Sequence, residues 1–192
     1  MIHQTKKRGF TLIELMVYLT VASIILTVSG VAYYLANRYS RGHGYLTRLE
    51  STLTRARTEA MINQFPVVIC PTDDGQQCAE IQDDTNGWGN RALIVFISES
   101  GTPPRDTTNE PIIAKLDPSA SQDYLLWRGF PNTNYIRMEP NGLSGSNGNI
   151  TYCAAMTGGQ DHAVGAVRVN RAGRVMYLNE PTASDGSALT CN

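Results

Sequence analysis

Residues Phe10–Ala36, FTLIELMVYLTVASIILTVSGVAYYLA, form a run of 27 mostly apolar side chains interrupted by one charge, Glu14. About 20 such residues suffice to cross a bilayer as a helix, so the run reads as a membrane-spanning segment. Lys6, Lys7 and Arg8 precede it, and positive charge on that flank keeps the N-terminal end in the cytoplasm and sends the remainder outward. Gly30-Val31-Ala32 has the small residues of a signal-peptidase site. Secretory signal cores run only about 7–15 residues and do not open on a carboxylate, so cleavage there is not expected. Glu14 costs about 2.5–3.5 kcal/mol at a bilayer centre, less near its edge. It therefore stays wet at the headgroup boundary or finds a cationic partner.

Around this segment the averages are unremarkable: 192 residues, 42% hydrophobic, 17% charged, mean hydropathy -0.22 and formal charge -1 from 16 cations and 17 acids. Such a chain buries a real core, and disordered and collagen-like classes are excluded. Without the three cations ahead of Phe10, 13 cations face 17 acids, a formal -4. Any contact with nucleic acid would then depend on a local patch.

Leu46, Leu49, Leu53, Ala56 and Ala60 are spaced three and four residues apart, which paints one helical stripe over an amphipathic second half, 37–65. Arg48, Arg55 and Arg57 lie mostly off the stripe and read as a solvated face. Gly42 and Gly44 weaken the helix and mark a candidate hinge; Pro66 ends it. From 66 to 192 the pattern changes to short β-branched and aromatic runs: 67–70, 92–97, 112–116, 124–128, 136–138, 150–154, 163–169 and 175–178. Turn signals such as Asn86-Gly87, Asn141-Gly142 and Ala172-Gly173 separate them. No crossover-length helix intervenes, so antiparallel pairing is expected. The fold class is α+β: a long N-terminal helix packed on an antiparallel β head, in two small sheets or one strongly twisted sheet.

Four cysteines outside the cytoplasm read as disulfides, with three pairings open. Cys70 and Cys78 bracket the turn-rich PTDDGQQ, which favours a local bridge and leaves Cys153 with Cys191. His3, His43 and His162 are scattered and no two-residue cysteine spacing occurs, so no metal or cofactor is expected. Asp161-His162 lies in a Gly-rich stretch without a nucleophile elbow, which argues against an enzyme. The polar stretches 101–109 and 144–149 read as surface loops where partners touch.

Gly9-Phe10-Thr11-Leu12-Ile13-Glu14, behind a short basic leader and ahead of an apolar helix, resembles the class III signal of type IV pilins and type II secretion pseudopilins. The resemblance implies a leader, 1–9, cut after Gly9 by a prepilin peptidase, which also methylates the new amine of Phe10. It implies that Glu14 pairs with the amine of a neighbouring subunit. Two opposite charges, each costly in an apolar filament core, offset one another when docked, which makes assembly directional. Many major pilins carry a proline two-thirds along this helix; here Ser29-Gly30-Val31 stands instead, and a kink would rest on Gly30.

The head extends the likeness. Asn63–Pro71, Cys78, Asn86-Gly87-Trp88, Leu93–Ile97 and the closing Val169–Val175 resemble the minor pilins and pseudopilins of the GspH/FimT family. That implies a minor type IV pilin anchored in the inner membrane, its head in the periplasm, partnered by other pilin subunits. The same fold would also serve a type II secretion pseudopilin, or a DNA-binding pilin for natural transformation. Family members that bind DNA use a Gly-Arg-x-Arg element. Gly173, Arg174 and Val175 match it, Met176 replaces its second arginine, and Arg168, Arg171 and Arg174 would form the patch. A single-pass anchored binding protein is the reading outside this fold.

Overall fold

The computed structural model describes residues 10–81, 87–119, 122–155, 161–183 and 185–191, with backbone alone described at 28–32, 34 and 35. The expected leader and Asn86 lie outside the described residues. One helix, α1, spans Leu12–Asn63 and so joins the two expected segments, 10–36 and 37–65, starting two residues later and ending two earlier. The chain divides into two compact units, residues 1–38 and 39–192.

In the first unit the large apolar side chains of α1 are uncovered; Leu12 is 77% and Leu26 72% exposed. Among the described residues no helix is long and apolar enough to cross a membrane. The apolar run continues through positions where only the backbone is described.

In the second unit the stripe Leu46, Leu49, Leu53, Ala56 and Ala60 is fully buried. It forms one core with the inner faces of two four-stranded antiparallel sheets. Sheet A comprises β1 (Val67–Thr72), β2 (Ala92–Ile97), β3 (Ile112–Leu116) and β5 (Ile136–Met138), in the order β3-β2-β1-β5. Sheet B comprises β4 (Tyr124–Phe130), β6 (Asn147–Ala154), β7 (His162–Val169) and β8 (Val175–Leu178), in the order β4-β6-β7-β8. Two sheets, rather than one twisted sheet, are therefore present. Val67 and Ile69 face the main core, whereas Val68 and Cys70 pack with Ile94 and Phe96 on the outer side of sheet A. That is why every residue of β1 is buried.

Gly42 does not break α1. A Cβ there would stand 2.9 Å from Val164 and 3.1 Å from the Tyr152 ring, so its bare backbone lets the helix approach sheet B closely. Trp88 and Trp127 stack at 5.9 Å. Their indole N–H groups donate to Asn134 O (3.1 Å) and Thr133 O (2.9 Å), fixing the segment that leads into β5.

Candidate functional site

Thr11 and Glu14 set the N-terminal end of α1. Their spacing is that of a capping box. The Thr11 N–H and hydroxyl each donate to Glu14 Oε2 at 3.4 Å, and the Glu14 N–H donates to Thr11 Oγ1 at 3.4 Å. The Leu15 N–H donates to Thr11 O at 3.2 Å, closing the first turn. The carboxylate is thus drawn toward the helix start, where unpaired N–H groups favour negative charge. Glu14 and Phe10 are both exposed, with the Phe10 ring edge-on to Tyr18 at 5.9 Å. Gly9 lies outside the described residues.

The three arginines near the C-terminus are held differently. Arg168, on β7, donates from Nε to Asn149 Oδ1 at 2.9 Å and from Nη2 to Thr182 O. Its guanidinium ties the C-terminal segment to sheet B, which corrects the expectation that it would be presented with the other two. Arg171 and Arg174 are exposed in the β7–β8 turn. The Arg171 guanidinium lies 5.6 Å above the ring of Phe130, a cation–π geometry.

The turn itself is held by α1. Arg57 donates from Nε to Gly142 O at 2.8 Å and from Nη2 to Ala172 O at 3.3 Å. It is therefore a clasp on two turns, which corrects its reading as part of a solvated face. Gly173, at φ +71°, packs so closely that an added Cβ would stand 2.0 Å from Gly142 O. The glycine of the Gly-Arg element thus has an architectural reason to be there.

Both disulfides close over the outer faces of the sheets. Cys70–Cys78 sits in the outer cluster of sheet A, and Cys153–Cys191 packs with Leu126 and Tyr124 outside sheet B. The expected surface loop 101–109 is partly interior. Arg105 is only 7% exposed, donates to Gln76 O (2.8 Å) and Gln76 Oε1 (3.0 Å), and also bonds to Glu110 O. Buried Glu110 accepts the N–H groups of Glu99 and Asp106 at 2.7 and 2.8 Å. Backbone N–H donors hold Asp74 and Asp106 below the usual carboxylate range.

A model of the family described as type II transport protein GspH matches residues 46–173, more than half of the chain. The chain belongs to the GspH family. The prokaryotic N-terminal methylation motif matches residues 4–30. The fold is similar to that of the type IV minor pilin FimU of Pseudomonas aeruginosa strain PAO1. One crystal form gives 16% identity over 78% of this chain and 94% of that one, with a TM-score of 0.50. A second crystal form gives 15% identity over 78% and 99%, with a TM-score of 0.46. No curated protein matches. This GspH-family chain is thus a pilin-like subunit of the minor pilin and pseudopilin class, bearing an N-terminal methylation motif.

Within this GspH head, Asp161 and His162 line an open cleft of about 500 Å³ with Glu180 and Thr182. Their side chains serve structure: Asp161 accepts the Tyr124 hydroxyl at 2.5 Å, and His162 stands edge-on to Tyr39 at 5.9 Å. Burial, together with Asp161, pushes the Tyr124 phenol up to about 12. Among the described residues no group of three His, Cys, Asp or Glu is placed to hold a metal. Sequence reasoning missed Thr11 and Phe130. The Thr-x-x-Glu spacing announces the first; the second has only an aromatic between glycine and proline as its signal.

Proposed function

We propose that this chain is a minor type IV pilin. It is inserted in the inner membrane through residues 10–36 with its head, 66–192, in the periplasm. Cleavage follows Gly9, and the subunit is then built into a pilus or its initiating complex. The observation that carries the reading is the methylation motif continuous with a helix whose apolar side chains, from Leu12 to Leu26, have no cover of their own. Such a surface needs lipid or neighbouring helices around it. FimU, whose fold this chain resembles, is a type IV minor pilin. Glu14, held at the exposed start of α1, is available to a neighbour's methylated amine, and a subunit in the wrong register leaves both charges unpaired.

Mass spectrometry of the mature protein should find N-methylphenylalanine at Phe10; any other N-terminus removes the main support. Glu14→Ala should insert in the membrane yet be lost from sheared filaments, and normal incorporation would contradict the pairing. Deletion of the gene should reduce surface pili. Loss of protein secretion with pili intact would assign the chain to a secretion pseudopilus instead.

A further inference from the structure

The segment entering β5 is locked through its main chain. The indole N–H groups of Trp127 and Trp88 donate to Thr133 O at 2.9 Å and to Asn134 O at 3.1 Å, and the Thr133 hydroxyl donates to Tyr135 O at 2.9 Å. Asn134 adds a bond from Nδ2 to Ile81 O at 3.1 Å. Three successive carbonyls are thereby taken, while the side chains of Asn132 and Asn134 stay exposed. This segment walls an open cleft of about 460 Å³, which Thr102, Pro103 and Pro104 line from the loop after β2 and Cys78, Ala79 and Glu80 from the loop after β1. Cys78 and Tyr135 both pack on the outer cluster of sheet A, so the cleft lies over that face.

Among the described residues the Asn132 amide, Asn134 Oδ1, the Tyr135 hydroxyl and the Glu80 carboxylate meet no hydrogen-bond partner. They offer amide donors, a hydroxyl that both donates and accepts, and carbonyl and carboxylate acceptors. The two prolines, Ala79 and the Cys70–Cys78 bridge add apolar surface. An apolar lining with a few orienting polar groups is the usual make-up of a small-molecule site. A ligand matched to this set carries donors and acceptors around its rim and C–H groups on its faces. A pyranose ring does so, since each of its hydroxyls both donates and accepts. An anion is disfavoured, because the one charged side chain lining the cleft among the described residues is a carboxylate. An extended peptide is disfavoured as well: the carbonyls of 133–135 are already bonded, so they offer no strand ladder.

We propose that this cleft binds an uncharged pyranose sugar of one or two rings. Asn132, Asn134 and Tyr135 bond the hydroxyls, Glu80 accepts from a further one, and Pro103 and Pro104 cover a C–H face. The two indoles fix the main chain of the wall before any ligand arrives, which reduces the ordering that binding would otherwise require. All the lining residues belong to the head, so occupancy of the cleft is independent of how the subunit is built into a filament.

The test uses the full-length protein in a polyoxyethylene detergent, because alkyl glycosides would compete for the cleft. Trp88 and Trp127 are the two tryptophans of the chain, and both hold the wall of the cleft, so tryptophan emission reports on its occupancy. Titration with maltose, cellobiose and N,N′-diacetylchitobiose should give a saturable change with at least one of the three, in the millimolar range of an open site with few polar contacts. Saturation-transfer NMR should place the ring protons of the same sugar against the protein. Asn132→Ala with Tyr135→Phe should weaken that binding by about tenfold. The melting temperature should hold, since neither group bonds within the described head. A wild-type protein that responds to none of the three sugars, or a response that survives the double substitution undiminished, would overturn the proposal. So would a stronger response to triproline or to spermidine than to any sugar; the first assigns the cleft to a protein segment, the second to a cation held by Glu80.

Discussion

Gly173→Ala should destabilise the head by about 3–5 kcal/mol, a sum of two identifiable effects. Gly173 has φ +71°, where a side chain costs roughly 1–2 kcal/mol. Its added Cβ would stand 2.0 Å from Gly142 O and 2.9 Å from Arg57 Nε. A withdrawal of about 1.4 Å, from 2.0 to 3.4 Å, is needed before the contact is ordinary. That movement breaks the 2.8 Å bond from Arg57 Nε to Gly142 O, and a hydrogen bond to a charged group contributes about 1.5–3 kcal/mol. For a domain of this size the melting temperature should drop by roughly 10 °C. Two glycines serve as controls. Gly186 has φ +84° with nothing among the described residues within 4 Å of an added Cβ, so Gly186→Ala should cost only the backbone effect, about 1–2 kcal/mol. Gly44 lies in α1 with open space around it, so Gly44→Ala should stabilise by about 0.5–1 kcal/mol. Thermal unfolding of the full-length protein in detergent, disulfides intact, measures all three. Equal shifts for Gly173→Ala and Gly186→Ala would refute the interlock.

Among the described residues the buried Tyr45 hydroxyl meets no hydrogen-bond partner, so Tyr45→Phe should raise stability by about 1 kcal/mol in the same melt. Tyr152→Phe should lower it by about 1–3 kcal/mol, because Tyr152 donates at 2.8 Å to the buried carboxylate of Asp123. The Tyr124 phenol, pushed up to about 12 by burial and Asp161, contributes stability that is fully present below the ordinary phenol value of 10.0. That contribution is lost as pH rises from there toward 12. Tyr124→Phe should therefore flatten the alkaline arm of a stability–pH profile. Replacing Cys153 and Cys191 by alanine should cost about 4 kcal/mol and replacing Cys70 and Cys78 about 2.5, because the bridges close loops of 38 and 8 residues; urea unfolding of the two double variants should rank them in that order.

The elements that reasoning from sequence located well are those whose signal is local. β2, β3, β5 and β8 fall at 92–97, 112–116, 136–138 and 175–178 as expected, because short apolar runs stand there between polar segments rich in turn-forming residues. The stripe Leu46 to Ala60 is legible for the same reason. What escaped depends on partners remote in sequence. Arg57 looks solvated on a helical wheel, yet its acceptors lie 85 and 115 residues away. Arg105 and Glu110 sit in a run whose composition says surface loop, and only the Gln76 turn, 29 residues earlier, makes a buried guanidinium tolerable. Proximity in sequence groups Arg168 with Arg171 and Arg174, whereas strand pairing delivers Asn149 to it and the C-terminal segment delivers Thr182. Propensity makes Gly42 a weak point of the helix, while its role is close approach to Val164 and Tyr152.

These remote contacts converge on the second half of α1. Arg57 holds the turns at Gly142 and Ala172, and Glu50 accepts the Tyr177 N–H at 3.3 Å. That N–H belongs to β8, the edge strand of sheet B, whose outward amide would otherwise be open to a foreign strand. Glu50 thereby blunts an edge while tying it to the helix. His43, about two turns earlier on the same face, meets the Tyr177 hydroxyl, and the Leu46–Ala60 stripe packs on both sheets. The face bearing Arg171 and Phe130 is therefore fixed to Tyr39–Asn63 by apolar packing and by polar contacts at three points along the helix. Weakening the clasp at Arg57 should therefore free the turns at Gly142 and Ala172 from the helix before it unfolds the head.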